Sequence, residues 1–461
     1  MVAMVGMVGM VGMSRVWRIE PADSERDQRR AAAALTARGL VAGDRVAMAL
    51  PNSPALLAAI LGACRIGIVP VLINATLLPA EIDALVSDAD PKLTLRTPAD
   101  LATLGAGAKT GAGRGVDLAP VPLCRPMHFT SGTSGRPKGV WPGVLSETEA
   151  IALHEDEAAV WELGPSDVHL TCSPLYHSVA VRFSAQALLR GAAVVLLEKF
   201  DAATVAAAIP AEGVRSVFMV PTHLQRLLDV LDRDGGADNL RGLRKVVHAG
   251  AACPAALKHR LFETLGTSKV WEFYGSTEGQ CTVCPPDEWL AHPGTVGKAR
   301  IGRRLEVDQD QTIWCEVPSF ARWAYWRDPV KTEAAWRGAM FTVGDLGRLD
   351  GDGYLYLDGR RDDLIISGGM NVYPAEVEHA LADVPGVVEV AVFGVADEEW
   401  GQRVCAAVIG DVLPDAVVAH ARDALAGYKR PKQVYIVEDL PRTGTGKVRR
   451  TQVAATLGLE P

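Results

Sequence analysis

Up to about residue 300 the chain alternates short apolar runs, bounded by Gly and Pro, with longer stretches of helical period. An alanine-rich stretch over 27–40 predicts a helix, and GDRVAMALPNS after it predicts a strand closed by Pro51 and Asn52. A second helix is expected over 54–66, a strand and loop in GIVPVLINATLL, and a third helix over 79–88. GAAVVLLEKF, VRSVFMVPT and LRKVVHAG are continuous apolar runs of the kind buried in parallel or mixed sheets with helices on their faces. Residues 96–126, rich in Gly, Ala and Pro with little periodicity, read as loop.

Beyond residue 300 the period falls to two. GRRLEVDQDQTIWCEV and GDLGRLDGDGYLYLDGR alternate apolar and polar residues between Asp-Gly turns, which predicts a β-rich subdomain. A last unit opens near Asp362 with a strand at IIS, a Gly-Gly-Met-Asn turn, a helix over 374–381, and strands at VVEVAVFGV and VCAAVIG. The expected fold class is α/β: a large N-terminal domain of mixed α/β sheets with a β-rich subdomain over 14–361, then a small, mobile α+β domain over 362–461.

Composition narrows the function classes. At 461 residues the chain is too long for one ordinary core, and 48% hydrophobic with 22% charged residues is a globular balance. The net charge is −8 and no long basic cluster could track a nucleic-acid backbone, so nucleic acid is not an expected partner. The opening MVAMVGMVGMVGM has neither the length to span a membrane nor a basic residue ahead of its apolar stretch, so residues 1–13 are set aside as a low-complexity leader. Of eight cysteines only Cys281 and Cys284 have CxxC spacing, and zinc would need a second pair. Buried, reduced thiols in a cytoplasmic protein are expected.

The candidate chemistry begins in FTSGTSGRPKG at 129–139. Gly132, Gly135 and Gly139 allow tight turns against an anion, Thr130, Ser131, Thr133 and Ser134 can donate to phosphate oxygens, and Lys138 adds a charge. Gly139 follows the lysine where a Walker A loop requires Ser or Thr. A Ser/Thr-rich loop of this kind suits a triphosphate split between its α- and β-phosphates.

Four further stretches follow in a set order: SPLYH at 173–177, FYGSTEG at 273–279, FTVGDLG at 341–347 running on to GRRDDLIISGGMNVYPAEVE at 359–378, and PRTGTGKVRR at 441–450. With the phosphate loop they make the chain resemble the adenylate-forming superfamily of acyl-CoA synthetases, nonribosomal adenylation domains and luciferases. VVHAGAACP at 246–254 looks most like bacterial fatty acyl-CoA synthetases.

The resemblance implies roles that suit the side chains. Glu278 would hold Mg²⁺ on triphosphate oxygens, Thr277 would donate to the α-phosphate, and Tyr274 would offer a flat face to adenine. Asp345 would accept from both ribose hydroxyls, with Arg360 beside it. Lys447 would meet the charge that builds between carboxylate and α-phosphate. His177 would flank the acyl pocket and gate the acid, although a lone imidazole among apolar residues is by default a core residue. Gly368 and Gly369 would flank a pantetheine channel once the C-terminal domain turns about Asp362.

The implied reaction is an ATP-dependent ligation. A small-molecule carboxylic acid is adenylated with loss of pyrophosphate, and the acyl group passes to CoA with loss of AMP, so ATP, Mg²⁺ and CoA are the expected cofactors. The alternative keeps adenylation but changes the acceptor to a carrier-protein thiol or an amine, or the donor to another oxyanion such as nitrite. Tyr428-Lys429-Arg430-Pro431-Lys432 offers cations for CoA phosphates, although such a run is usually a solvated face. No carrier domain is expected after Pro461. Relative to the family the N-terminal region is trimmed, which leaves surface that a second copy could cover in a homodimer. Trp314-Cys315-Glu316-Val317-Pro318 replaces the usual Gly-Glu-Ile stretch, and Ala252 replaces a proline, which bears on substrate choice.

Overall fold

The computed structural model describes residues 14–107, 116–130, 138–360, 363–367, 370–397, 400–442 and 448–459. Residues 1–13, set aside above, lie outside them. The continuous apolar runs form two six-stranded sheets. The first runs in the order Val16–Ile19, Ala193–Leu197, Val168–Thr171, Ser216–Met219, Lys245–His248, Val270–Glu272, parallel except for its first strand. The second runs Ala324–Tyr325, Lys138–Trp141, Met127–Thr130, Val69–Leu72, Arg45–Met48, Leu93–Leu95, with its last four strands parallel.

One core joins these sheets, with Ala47, Val71 and Met127 from one and Val194, Leu196 and Val247 from the other packed around the helices Pro54–Cys64 and Ser178–Leu189. Pro54–Cys64 is apolar on every side, which fits burial between two layers. Its N-cap Ser53 accepts from the Leu56 amide, and Pro54 supplies a first-turn φ at no hydrogen-bonding cost. On the outer face of the first sheet, Ala202–Ala211, Pro221–Asp234 and Ala255–Leu265 close a second core.

Two expectations fail in this part of the chain. Residues 96–126 are not all loop, because Pro98–Gly107 is a helix. Asp100 accepts from the Arg96 and Thr97 amides at 2.8 Å each, which starts the helix, and buried Leu104 seats it in the main core. The many Ala and Gly residues hide that short apolar stripe. The helix expected from residue 27 begins at Pro21, since proline at the first helical position is tolerated where no amide partner is needed.

The period-two region folds as predicted into the sheet Arg304–Val307, Ile313–Glu316, Met340–Phe341, Trp336–Arg337 and the hairpin of Asp345–Leu349 with Leu355–Arg360. Its core packs Tyr325, Trp336 and Phe341 around Trp323 in edge-on and tilted ring contacts. The CxxC pair is split between cores: Cys281 packs in this one and Cys284 in the outer core of the first sheet. All eight cysteines are free thiols, seven of them buried.

The C-terminal sheet carries Met370–Val372, Ile365–Ser367, Gly401–Gly410 and Val387–Asp397 in that order, with Gln433–Ile436 alongside Gly401–Gly410. Helices Pro374–Ala382 and Pro414–Ala424 cover one face and Arg450–Thr456 the other. Met370 and Asn371 are strand and not turn, since Met370–Val372 pairs back on Ile365–Ser367. No helix among the described residues is long and apolar enough to cross a membrane.

Buried histidines make this fold acid-sensitive. Burial pushes His128 down to about 4, His169 to about 3 and His223 to about 4, and it lowers His248 strongly, with the Lys258 ammonium adding to the effect. The unfolded chain, with histidines near about 6.5, takes up protons first as pH falls. The stability these neutral rings contribute is therefore complete above that value and is lost towards pH 4. Thermal melts should show Tm falling steadily from pH 7 to pH 5. A flat Tm over that range would contradict this reading.

Candidate active site

Strands Met127–Thr130 and Lys138–Trp141 are antiparallel, with Thr130 opposite Lys138, so the phosphate loop leaves and returns at neighbouring positions. Thr130 Oγ1 donates to the Lys138 carbonyl at 3.4 Å. Ser131, Gly132, Thr133, Ser134 and Gly135 lie outside the described residues. Lys138 Nζ stands 5.0 Å from the centre of the Tyr325 ring, and the Tyr325 hydroxyl donates to Glu278 Oε1 at 3.1 Å. The mouth of the loop is thus linked through one aromatic ring to a carboxylate that is only 5% exposed.

Glu278 is presented by a tight turn. Gly275 pairs with Gln280 across it, and the Ser276 amide donates to the Gly279 carbonyl at 2.9 Å. A Cβ at Gly275 would meet the Gly279 oxygen at 2.6 Å and the Gln280 Cα at 2.7 Å, so only glycine closes this turn. Thr277 sits at its tip, half-buried beside Glu278.

Asp345 opens the first strand of the long hairpin, opposite Arg360. Its Oδ2 accepts from the Tyr274 hydroxyl at 2.7 Å and its Oδ1 from Arg360 Nε at 2.9 Å. Burial, and then the Asp345 charge, hold the Tyr274 phenol firmly protonated. Burial works against the Arg360 charge, but the neighbouring carboxylate outweighs it and raises that pKa. Tyr274, from one motif, and Asp345 and Arg360, from another, therefore form one bonded unit.

His177 occupies the N-cap position of Ser178–Leu189, its ring 4.5 Å from that of Tyr176. The Tyr176 carbonyl accepts from His128 Nδ1 at 2.9 Å. Lys447, Gly368, Gly369 and Asp362 lie outside the described residues. Just past the expected hinge, Asp363 pairs with Arg450 at 2.5 Å, and Arg450 also grips Glu378 at 2.7 Å.

The motifs did not reveal three partners. Tyr325, which braces Glu278, lies in AYWRDP, where nothing local marks it. Lys258 is fully buried and donates to His248 Nε2 at 2.6 Å and to Glu272 Oε2 at 3.0 Å. His248 and Glu272 end adjacent parallel strands in register, so this lysine ties together the strand ends that lead to Ala249-Gly250 and to Phe273-Tyr274. Burial lifts the Glu272 carboxyl, and the Lys258 charge only partly offsets it. Arg182 donates to Gln280 Oε1 at 2.9 Å, just past Glu278.

Comparison with known proteins gives the family. Residues 22–121 and 125–314 match the AMP-binding enzyme family, and residues 376–447 match the AMP-binding enzyme C-terminal domain. The chain belongs to the adenylate-forming, AMP-binding enzymes. It is 32% identical to the long-chain-fatty-acid–CoA ligase FadD13 of Mycobacterium tuberculosis, over 92% of this chain and 90% of that protein. To the feruloyl-CoA synthase of Amycolatopsis it is 34% identical, over 95% and 94%. ATP-bound MatB of Rhodopseudomonas palustris superposes with a TM-score of 0.80 at 29% identity, covering 94% of this chain and 93% of that one. The o-succinylbenzoate CoA synthetase MenE of Bacillus subtilis, in complex with its acyl-adenylate, gives 0.80 at 25% identity, over 94% and 92%. The adenylate-former is thus an AMP-forming, acyl-CoA-synthetase-like ligase with ATP, Mg²⁺ and CoA as its cofactors.

Proposed function

We propose that this ligase adenylates a small-molecule carboxylic acid at the Glu278 and Asp345 sites and passes the acyl group to the thiol of CoA. The observation that carries the reading is the pairing of two linked units: Asp345 between Tyr274 and Arg360, and Glu278 joined through Tyr325 to the lysine at the mouth of the phosphate loop. Asp345 would exchange the Tyr274 and Arg360 donors for ribose hydroxyls. Tyr274 would then be free to set its ring against adenine, and Thr277 at the turn's tip would donate to the α-phosphate.

Glu278 fits a hard cation. The Tyr325 hydroxyl takes up only Oε1, and the buried carboxylate offers Oε2 as a hard oxygen donor. When bound there, Mg²⁺ would neutralise triphosphate charge as pyrophosphate leaves. Thr130, Lys138 and the hydroxyls and glycines at 131–135 would hold the phosphates, Lys447 would meet the charge developing on the α-phosphate, and His177 would border the acid. The 14–361 domain then supplies the nucleotide site, and the 362–461 domain supplies Lys447 for the first step and Gly368-Gly369 for the second. Free, buried thiols support a reducing, cytoplasmic setting.

A second reading, with an amine as acceptor, is favoured by one likeness: the amide bond synthetase McbA of Marinactinospora thermotolerans superposes with a TM-score of 0.79 at 28% identity. The CoA dependence of AMP release separates the two. CoA should accelerate AMP release from a competent acid and appear in a thioester. AMP release indifferent to CoA but accelerated by amines would favour the second reading.

A further inference from the structure

Two groups of opposite charge touch the same ring without pairing with each other. Glu278 is buried, yet among the described residues no cation lies within ion-pair distance of it. Lys138, half-buried at the mouth of the phosphate loop, forms no ion pair among them either. In surroundings that exclude water, opposite charges on neighbouring elements attract strongly and close up unless something holds them apart. The Tyr325 side chain engages both: the Lys138 ammonium rests over its ring, 5.0 Å from the centre, and its hydroxyl donates to Glu278 Oε1 at 3.1 Å. Burial, and then the Glu278 charge, keep that phenol protonated, so it stays a donor.

The chain builds this side chain into a fixed place. Ala324–Tyr325 is the edge strand of the second sheet, antiparallel to Lys138–Trp141, with Tyr325 opposite Val140. The Trp326 amide donates to the Gly139 carbonyl at 2.8 Å, and the Tyr325 amide donates to Thr332 Oγ1 at 2.9 Å. A Cβ at Gly139 would stand 2.2 Å from Met127 Cε and 3.2 Å from Trp326 Cβ, so the glycine after Lys138 lets the edge strand lie this close. The ring itself is buried and meets Trp323 edge-on, with centres 4.9 Å apart. Glu278 comes from the other side, on the turn beyond strand Val270–Glu272 of the first sheet. Tyr325 is thus the point at which the loop of one sheet meets the turn of the other.

We propose that Tyr325 is a positioning residue that keeps Glu278 and Lys138 apart, so that the carboxylate stays open to the cation and the ammonium to a phosphate. This rests on the ligase reading and adds a residue to its site. The hydroxyl commits Oε1 and so aims Oε2, while the ring gives the ammonium a weak partner that a phosphate oxygen displaces. Without the phenol the two charges pair, and metal and triphosphate must break that pair to bind.

The test follows the full-length protein with ATP and no acid, and reads the Mg²⁺ concentration that gives half of the ATP-induced rise in Tm. Tyr325→Phe, which keeps the ring and loses the donor, should raise that concentration about 10-fold. Tyr325→Leu, which loses the ring as well, should raise it by about 30- to 100-fold in all. Adding Lys138→Gln to Tyr325→Leu should bring it back down by at least about threefold, since the carboxylate then has no ammonium to pair with. A tyrosine that only fills space gives no such recovery. In pyrophosphate exchange, Tyr325→Phe should shift the Mg²⁺ dependence by the same factor, with kcat at saturating Mg²⁺ within about threefold of wild type. If Tyr325→Leu does not fold, the Tyr325→Phe values decide alone. A Mg²⁺ requirement within about twofold of wild type in Tyr325→Phe, or no recovery in the double variant, overturns the positioning role and leaves the ligase reading standing. No rise in Tm with ATP and Mg²⁺ in the wild type, together with no acid-dependent AMP release, overturns both.

Discussion

Glu278→Gln should slow acid adenylation by about 100- to 1,000-fold, the scale expected when a site loses the charge that holds its cation. The substitution keeps shape and keeps an oxygen to accept the Tyr325 hydroxyl, so the turn between Gly275 and Gln280 should stay closed and Tm should move little. It removes the negative charge from a carboxylate that is only 5% exposed, and no neighbouring group on that turn replaces it. The loss should fall on kcat with a rise in the Mg²⁺ concentration needed, while transfer to CoA from a supplied acyl-adenylate should change less than about fivefold, because that step needs no metal at the triphosphate. The decisive comparison is single-turnover pyrophosphate release against thioester formation from the adenylate. Loss of less than tenfold in the first, or equal loss in both, would remove Glu278 from the cation site.

Lys258→Met should produce the largest loss of stability. The ammonium is fully buried and serves two acceptors, so its removal leaves Glu272 and His248 facing each other without the donor both of them use. Breaking one side of a buried ionic network costs about 3–5 kcal/mol, whereas methionine recovers only the stem's packing. For a domain of this size that corresponds to a fall in Tm of about 4–7 °C. Because His248 and Glu272 end the strands that lead into Ala249-Gly250 and Phe273-Tyr274, the same change should raise KM for ATP several-fold. Lys258→Met combined with Glu272→Leu should be more stable than Lys258→Met alone, since the double substitution removes the unpaired carboxyl as well. A fall in Tm below about 2 °C, or a double variant no better than the single, would show that the three groups are not coupled.

These predictions draw on side chains of unequal visibility. Glu278, Asp345, Tyr274 and Arg360 could be read in the sequence because each sits in a run whose residue types are constrained by chemistry. Their bonding to one another could not, since Tyr274 meets Asp345 across 71 positions of chain. Lys258 shows the opposite case. In LKHRLFE it looks like one more helical lysine, and its role exists only because the parallel register places His248 beside Glu272 beneath it. Arg182 and Tyr325 likewise acquire meaning from partners on other elements. The strands of the two large sheets were legible because burial on both faces leaves a continuous apolar run. Pro98–Gly107 was not, because only Leu101 and Leu104, in a stretch of alanine and glycine, anchor it to the core.

Exchange of labelled pyrophosphate into ATP tests the central claim most directly, because it reports formation of an acyl-adenylate without requiring a known acceptor. The account predicts exchange that requires both a carboxylic acid and Mg²⁺, proceeds without CoA and is lost in Glu278→Gln. Exchange independent of any acid, or ATP cleaved to ADP and phosphate with no exchange, would contradict it.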